Sequence, residues 1–126
     1  MLVVSCPMKS MPQEIEVWYL IPALRRELTK IFIEKYGMNQ KQVSDLLRVT
    51  ESAVSQYIKS KRGQELQFSK EELAQIKKTA ALIQGEQEKT LEHLYRLCIQ
   101  LRGCHSLCEL HKKHDSNLPD DCNLCC

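Results

Sequence analysis

The sequence predicts an all-α fold: a bundle of short helices, a further helical segment, and a small cysteine-rich tail. Apolar residues recur at helical spacing along most of the chain. Only four glycines and 6% aromatic residues are present, too little turn punctuation for a sandwich or barrel. Six of the seven cysteines crowd into residues 98–126, where the apolar pattern fades. With 126 residues and 43% hydrophobic content, the chain has room for one compact domain and an appendage, and disorder throughout is not expected.

Residues 1–12 read as an irregular lead, with Pro7 and Pro12 interrupting regular structure. Met11 offers an internal start, which would make residues 1–10 an extension. Ile21 to Tyr36 reads as a helix: Leu24, Leu28, Ile31, Phe32 and Tyr36 form its apolar stripe, with Arg25, Arg26, Glu27 and Lys30 largely outside it. Pro22 suits its first turn and Gly37 its left-handed stop. A second helix follows from Asn39 or Gln40 to Leu47, then a break at residues 48–50 and a third helix from Glu51 to Ser60. Thr50 is placed to cap the third helix, and Lys61, Arg62 and Gly63 close it with positive charge where the dipole favours it.

The strongest helix start is Phe68-Ser69-Lys70-Glu71-Glu72-Leu73. Ser69 and Glu72 make a capping box there, inside a Phe68–Leu73 staple. The pattern continues through Ile76, Ala80 and Ile83, meets Gly85, and resumes at Leu91, Leu94, Tyr95, Cys98 and Leu101. One helix crossing Gly85 would bear about 1 kcal/mol, so two helices meeting there are expected. The chain thus divides into an irregular lead (1–12), a head (13–66), a helical linker or dimerisation segment (67–102) and a cysteine-rich tail (103–126), whose ligands begin at Cys98.

The formal net charge is +2, unevenly placed: residues 1–63 carry ten Lys/Arg against six Asp/Glu, and residues 64–126 carry eight against ten. A basic half beside an acidic one fits a nucleic-acid face with a separate second module. The longest strongly apolar stretch, Val17 to Leu24, contains Pro22 and is far shorter than the ~20 residues a span needs. Residues 1–6 carry no basic region and too short an apolar run for a signal peptide. A cytoplasmic protein with no membrane partner is expected, and there clustered cysteines bind metal or sense redox more often than they form disulfides.

Residues 40–59 carry the main functional inference. Val43, Leu47, Val49, Val54 and Ile58 form an apolar set that two short helices can share, with the small Ser44 at their contact. The second of these helices then projects Thr50, Glu51, Ser52, Ser55, Gln56 and Lys59, short polar groups suited to base edges plus a cation for phosphate. Over residues 20–63 the sequence resembles the Cro/CI-type helix-turn-helix regulators. The run Ala53-Val54-Ser55-Gln56-Tyr57-Ile58, followed by Lys61-Arg62-Gly63, is typical of them. The resemblance implies a helix-turn-helix DNA-binding bundle that acts as a homodimer on a double-stranded DNA operator. In it Gln40 and the basic residues Lys59, Lys61 and Arg62 would touch phosphates, Glu51, Ser52, Ser55 and Gln56 would face bases, and Lys41 and Thr50 complete the expected DNA-binding set. The family usually places glycine where this chain has Arg48, at a left-handed turn, which strains the turn by about 1 kcal/mol. The apolar stripe after Ser69 could supply the dimer surface or pack back on the head.

The tail reads Cys98-x5-Cys104-x3-Cys108-x13-Cys122-x2-Cys125-Cys126, with His105, His111 and His114 among the cysteines. Thiolates this close can surround one metal, and a segment this short and polar would need metal as its organising centre. Structural zinc would use four cysteines, or three and either His111 or His105. An iron–sulfur cluster would use four cysteines, and the surplus thiols with no pair of tidy knuckles lean that way; thiol–disulfide switching is the third possibility. The whole chain is similar to a group of small archaeal regulators that join this head to a cysteine-containing tail. That resemblance implies Cys98, Cys108, Cys122 and Cys125 as ligands, with Cys104 and Cys126 as spares or alternates. Cys6 carries no assignment, and His93 reads as a packed or solvated residue. The leading expectation is a transcription repressor whose tail binds a cluster or metal and senses redox or metal state. The alternative is a protein-interaction module with structural zinc. An enzyme is not expected: no glycine-rich phosphate loop, catalytic carboxylate pair or CxxC near a βαβ pattern is present.

Overall fold

The computed structural model describes residues 11–59, 61–102 and 105–114. Among them every regular element is helical, as the sequence predicts. Helix α1 (Pro12–Ile15) runs through a π-helical turn (Glu16–Leu20) into α2 (Ile21–Glu34). The expectation for Pro12 was therefore wrong: it stands at the first position of α1, where its missing N–H is not needed. Pro22 accounts for the π turn. Inside a continuing helix its ring would press on the carbonyl four residues back, and the widened turn, with Ile21 N–H donating to Glu16 C=O, relieves that contact. At the far end Gly37 (φ 65°) turns the chain so that Met38 N–H reaches the Phe32 carbonyl at 3.1 Å.

Helices α3 (Gln40–Leu47) and α4 (Glu51–Ile58) follow, then α5 (Lys70–Gly85), a 3-10 turn (Gln87–Lys89), α6 (Thr90–Leu101) and α7 (His105–His114). The capping box at α5 is formed: Ser69 N–H donates to Glu72 Oε1 at 2.7 Å, and Glu72 N–H to Ser69 Oγ at 3.3 Å. Two helices do meet at Gly85, because Glu86 leaves helical geometry (φ −138°, ψ 65°). Glu86 then organises the corner, with Lys89 Nζ at 3.3 Å and His93 Nε2 at 3.2 Å. Lys89 foremost, and His93 with it, hold the Glu86 carboxyl below its ordinary pKa. His93 is buried, as a packed histidine should be.

Helix α2 is the hub, touched by α3, α4 and α5. Burial on several sides explains why Arg26, expected outside the apolar stripe, is only 9% exposed and paired with Glu27 at 2.9 Å. One apolar cluster runs from Ile15 through Leu24, Phe32, Leu47 and Val54 to Ile76, Leu97 and Leu110, so the expected head, linker and tail all contribute to it. Of the α5–α6 stripe, Ile76, Ala80, Ile83, Leu94 and Leu101 join the core cluster shared with the head and Leu73 and Cys98 are partly buried against it, whereas Leu91 and Tyr95 are 46% and 66% exposed. Leu107 and Leu110 give α7 an apolar anchor in the same cluster, which the polar look of the tail concealed. Among the described residues no helix is long and apolar enough to cross a membrane.

Candidate functional site

The α3–α4 pair is built by three local devices. Asn39 caps α3 reciprocally with Gln42: Gln42 N–H donates to Asn39 Oδ1 at 2.8 Å, and Asn39 N–H to Gln42 Oε1 at 2.9 Å. This Asn-x-x-Gln box was readable in the sequence and was missed there. Arg48 then adopts the left-handed conformation (φ 57°, ψ 45°), and the Ser44 carbonyl accepts from both Arg48 N–H and Val49 N–H. That double acceptance is the helix stop usually made with glycine, and it folds Val49 back onto the core. Thr50 opens α4 by accepting from Ala53 N–H at 3.1 Å. Removing the Cβ strain at Arg48 gains about 1–2 kcal/mol, and the freer unfolded glycine chain returns about half of it. Arg48→Gly is accordingly expected to stabilise the fold by about 0.5–1 kcal/mol, read as a higher urea midpoint at unchanged slope.

Helix α4 buries Ala53, Val54 and Tyr57. Ile58, expected in the shared apolar set, is instead 39% exposed, and Tyr57 takes the buried place. The outward side carries Glu51, Ser52 and Lys59, with Thr50 at its start and Lys61 and Arg62 beyond its end; Gln40 and Lys41 are exposed at the start of α3. Ser55 and Gln56 are half-buried, and Gln56 Oε1 is enclosed without a donor. The loop after α4 is pinned: Lys61 N–H donates to Gln56 C=O at 2.8 Å, and Gly63 (φ 73°) lies so close to α2 that a Cβ there would sit 2.5 Å from the Pro22 carbonyl oxygen. Lys61 and Arg62 are thereby held beside the N-terminal end of α2 on a backbone with little room to shift.

No family model, curated protein or solved structure matches this chain. What the face can do follows from its own groups: a row of short polar side chains on one side of an eight-residue helix, edged by exposed cations.

Of the expected metal ligands, Cys104, Cys122 and Cys125 lie outside the described residues, as does the spare Cys126. Cys98 is half-buried on α6 against the apolar core. Burial pushes its thiol pKa up and Glu16 adds to this, while Arg25 and Arg102 work the other way. The Arg102 Nε–Glu16 Oε1 pair at 2.7 Å ties the end of α6 to the π turn. This setting favours the neutral thiol. Cys108 lies half-buried on α7, one turn before His111, whose Nε2 is buried with no hydrogen-bond partner. An orphaned imidazole nitrogen beside a thiol on one helix fits a metal. Among the described residues, however, no group of three or more His, Cys, Asp or Glu side chains converges.

Helix α7 is joined to the rest by its contact with α1 and by Ser106 Oγ donating to Glu72 Oε1 at 2.7 Å. One buried carboxylate thus serves both the α5 cap and the α7 dock. Glu72→Ala is expected to destabilise the protein by about 2 kcal/mol, combining a lost cap with lost charge-assisted bonds. Amide exchange in α7 should accelerate more than in α3, whereas Glu72→Gln, which keeps an acceptor oxygen, should retain most of the protection.

Proposed function

We propose that this chain is a sequence-specific DNA-binding transcription regulator, a repressor, in which α3 and α4 form a helix-turn-helix and α4 enters the major groove. The single observation that carries this reading is the α3–α4 pair itself: a left-handed turn at Arg48, a Thr50 cap, a buried Ala53–Val54–Tyr57 side and an outward polar side edged by Lys59, Lys61 and Arg62. Cations would neutralise phosphates and set the register, while Glu51, Ser52, Ser55 and Gln56 would discriminate bases. The N-terminal end of α4 carries an unsatisfied dipole and Glu51; that carboxylate suits a cytosine amino group and repels a phosphate.

One head makes few contacts, so the operator-bound form is a homodimer. Most of the stripe is buried, but its members Leu91 and Tyr95 remain exposed on α6 with Ile99, at i, i+4, i+8. This row is edged by Glu92 and Arg96, which pair with each other along the exposed side of α6 at 2.9 Å. Antiparallel pairing with a second copy places each carboxylate near the partner helix's guanidinium, the self-complementary pattern of a two-fold interface. Tyr95→Glu is expected to convert the dimer to a monomer in sedimentation equilibrium, to remove the concentration dependence of the thermal midpoint, and to weaken binding to a two-half-site duplex at least tenfold, with the helical circular dichroism unchanged.

The tail is read as a metal-holding segment, carrying an iron–sulfur cluster or zinc. A bound metal would supply a reversible cross-link among thiolates. The chain's own part is mechanical: α7 bears on α1 and on the α5 cap, so a change of tail state has a route to the head. A second reading, a protein-interaction module with structural zinc, draws on Val17 and Trp18, which are 60% and 52% exposed on the π turn.

Binding of the full chain to mixed duplex DNA, followed by anisotropy across a salt series, separates the two. Affinity that falls steeply with salt supports the DNA reading. Absent or salt-insensitive binding transfers the case to the interaction module. Iron, zinc and acid-labile sulfide assayed on anaerobically purified protein decide the tail's occupant.

A further inference from the structure

His111 is only 6% exposed, yet its Nε2 has no hydrogen-bond partner. A buried polar atom left this way bears a desolvation cost on the order of 1–3 kcal/mol, so such atoms are rare unless something occupies the lone pair. Sequence spacing supplies a second group beside it. Cys108 stands three residues earlier on the same helix, about 60° away around the axis. The buried side of α7 is set by Leu107 and Leu110; His111 and Cys108 lie together on one flank of it, where burial gives way to partial exposure. A soft thiol and an imidazole nitrogen one helical turn apart, at the margin of an apolar core, are the two halves of a bidentate metal grip.

We infer that Cys108 and His111 form a helical half-site for zinc, with Cys108 Sγ and His111 Nε2 as two of the metal's ligands. This rests on the reading of the tail as metal-holding and commits it to one metal. A mixed Cys/His set is a common structural zinc set, whereas the four-cysteine cluster expected from the cysteine count would leave the His111 nitrogen without a role. His111 is buried on a helix that packs against α1 and the apolar core, so a metal it holds would bear on that packing. On binding, the Cys108 thiol gives up its proton to solvent and no electron is transferred.

The test uses the full chain, stripped by chelator under anaerobic conditions and titrated with cobalt(II) and then with zinc. Wild-type protein should show the strong visible bands of tetrahedral cobalt with sulfur-to-cobalt charge transfer, bleached by one equivalent of zinc. His111→Leu keeps the apolar packing and removes the nitrogen. It should lose more than about 100-fold in zinc affinity, beyond the cost of deleting an outer-shell partner, while the helical circular dichroism of the stripped protein stays unchanged. His111→Cys should restore tight binding, with a stronger charge-transfer band because one more sulfur is bound. If His111→Leu binds cobalt with wild-type affinity and spectrum, the histidine is a core residue and only this inference falls. Brown wild-type protein carrying iron and sulfide overturns the zinc assignment. Wild-type protein that takes up neither metal overturns the metal-holding reading beneath it.

Discussion

Replacing Lys61 and Arg62 together with alanine is expected to weaken binding to every duplex about 60-fold at roughly 0.1 M salt, and to lower the slope of log affinity against log salt by about 2. Each phosphate contact contributes close to 0.9 to that slope, so at ~0.1 M each is worth about eightfold and two multiply. Both side chains are exposed and outside the regular helices, so the substitution should leave the thermal midpoint where it was. Ser52→Ala on the same face has a different expected signature. It should cost about 1–3 kcal/mol on a duplex selected for tight binding, with no change on mixed DNA and none in the salt slope, because a base contact carries sequence and a phosphate contact does not. Anisotropy with the two duplexes over a salt series reads both. If the double alanine variant keeps the wild-type slope, Lys61 and Arg62 touch no phosphate. A Ser52→Ala effect equal on both duplexes would remove α4 from the groove.

Local chemistry carried most of what the sequence could say about this fold. The Ser69–Glu72 box, the Thr50 cap, the stop at Gly37 and the break at Gly85 each involve groups within a few residues of one another, so their signals survive in a linear string. Asn39 and Gln42 belong to the same class and were overlooked rather than hidden. Arg48 stands where the resemblance implies a left-handed turn, and the backbone there is left-handed. What the sequence concealed depends on neighbours distant in the chain. Tyr57 and Ile58 are adjacent, and only the direction from which α2 and α3 approach α4 selects Tyr57 for burial. Arg26 looked solvent-facing because a single amphipathic stripe was assumed, whereas α2 is covered on more than one side. The α5–α6 stripe had two destinations in the sequence, a dimer surface or the head, and the structure divides it: most of it joins the core, while Leu91 and Tyr95 stay exposed. In the tail the sequence offers His111 and His105 alike as a nitrogen ligand, because an orphaned nitrogen is visible only once the surrounding side chains are in place.

Gly63→Ala should be the most damaging single-methyl change in the described part of the protein, and Gly37→Ala supplies its control. Both glycines have positive φ, +73° and +65°, so both alanine variants bear the left-handed penalty. That penalty is about 1–2 kcal/mol, reduced by up to ~1 kcal/mol through the stiffer unfolded chain, leaving about 1 kcal/mol or less for Gly37→Ala. At Gly37 nothing lies within 4 Å of the new Cβ, so the account ends there. At Gly63 the Cβ would meet the Pro22 oxygen at 2.5 Å and carbon at 2.8 Å, both backbone atoms with no rotamer to escape into. Moving them means separating the 61–63 loop from the start of α2, at an overpacking cost of about 1–3 kcal/mol, for a total of about 2–4 kcal/mol and a thermal midpoint lower by roughly 10 °C. The same displacement shifts Lys61 and Arg62. At a temperature where both variants are folded, Gly63→Ala should therefore also bind duplex DNA more weakly, with a shallower salt dependence, whereas Gly37→Ala should bind as the parent does. Equal destabilisation by the two variants would show that the Pro22 contact relaxes freely. Full DNA affinity in a destabilised Gly63→Ala would show that the position of the two cations does not depend on that contact.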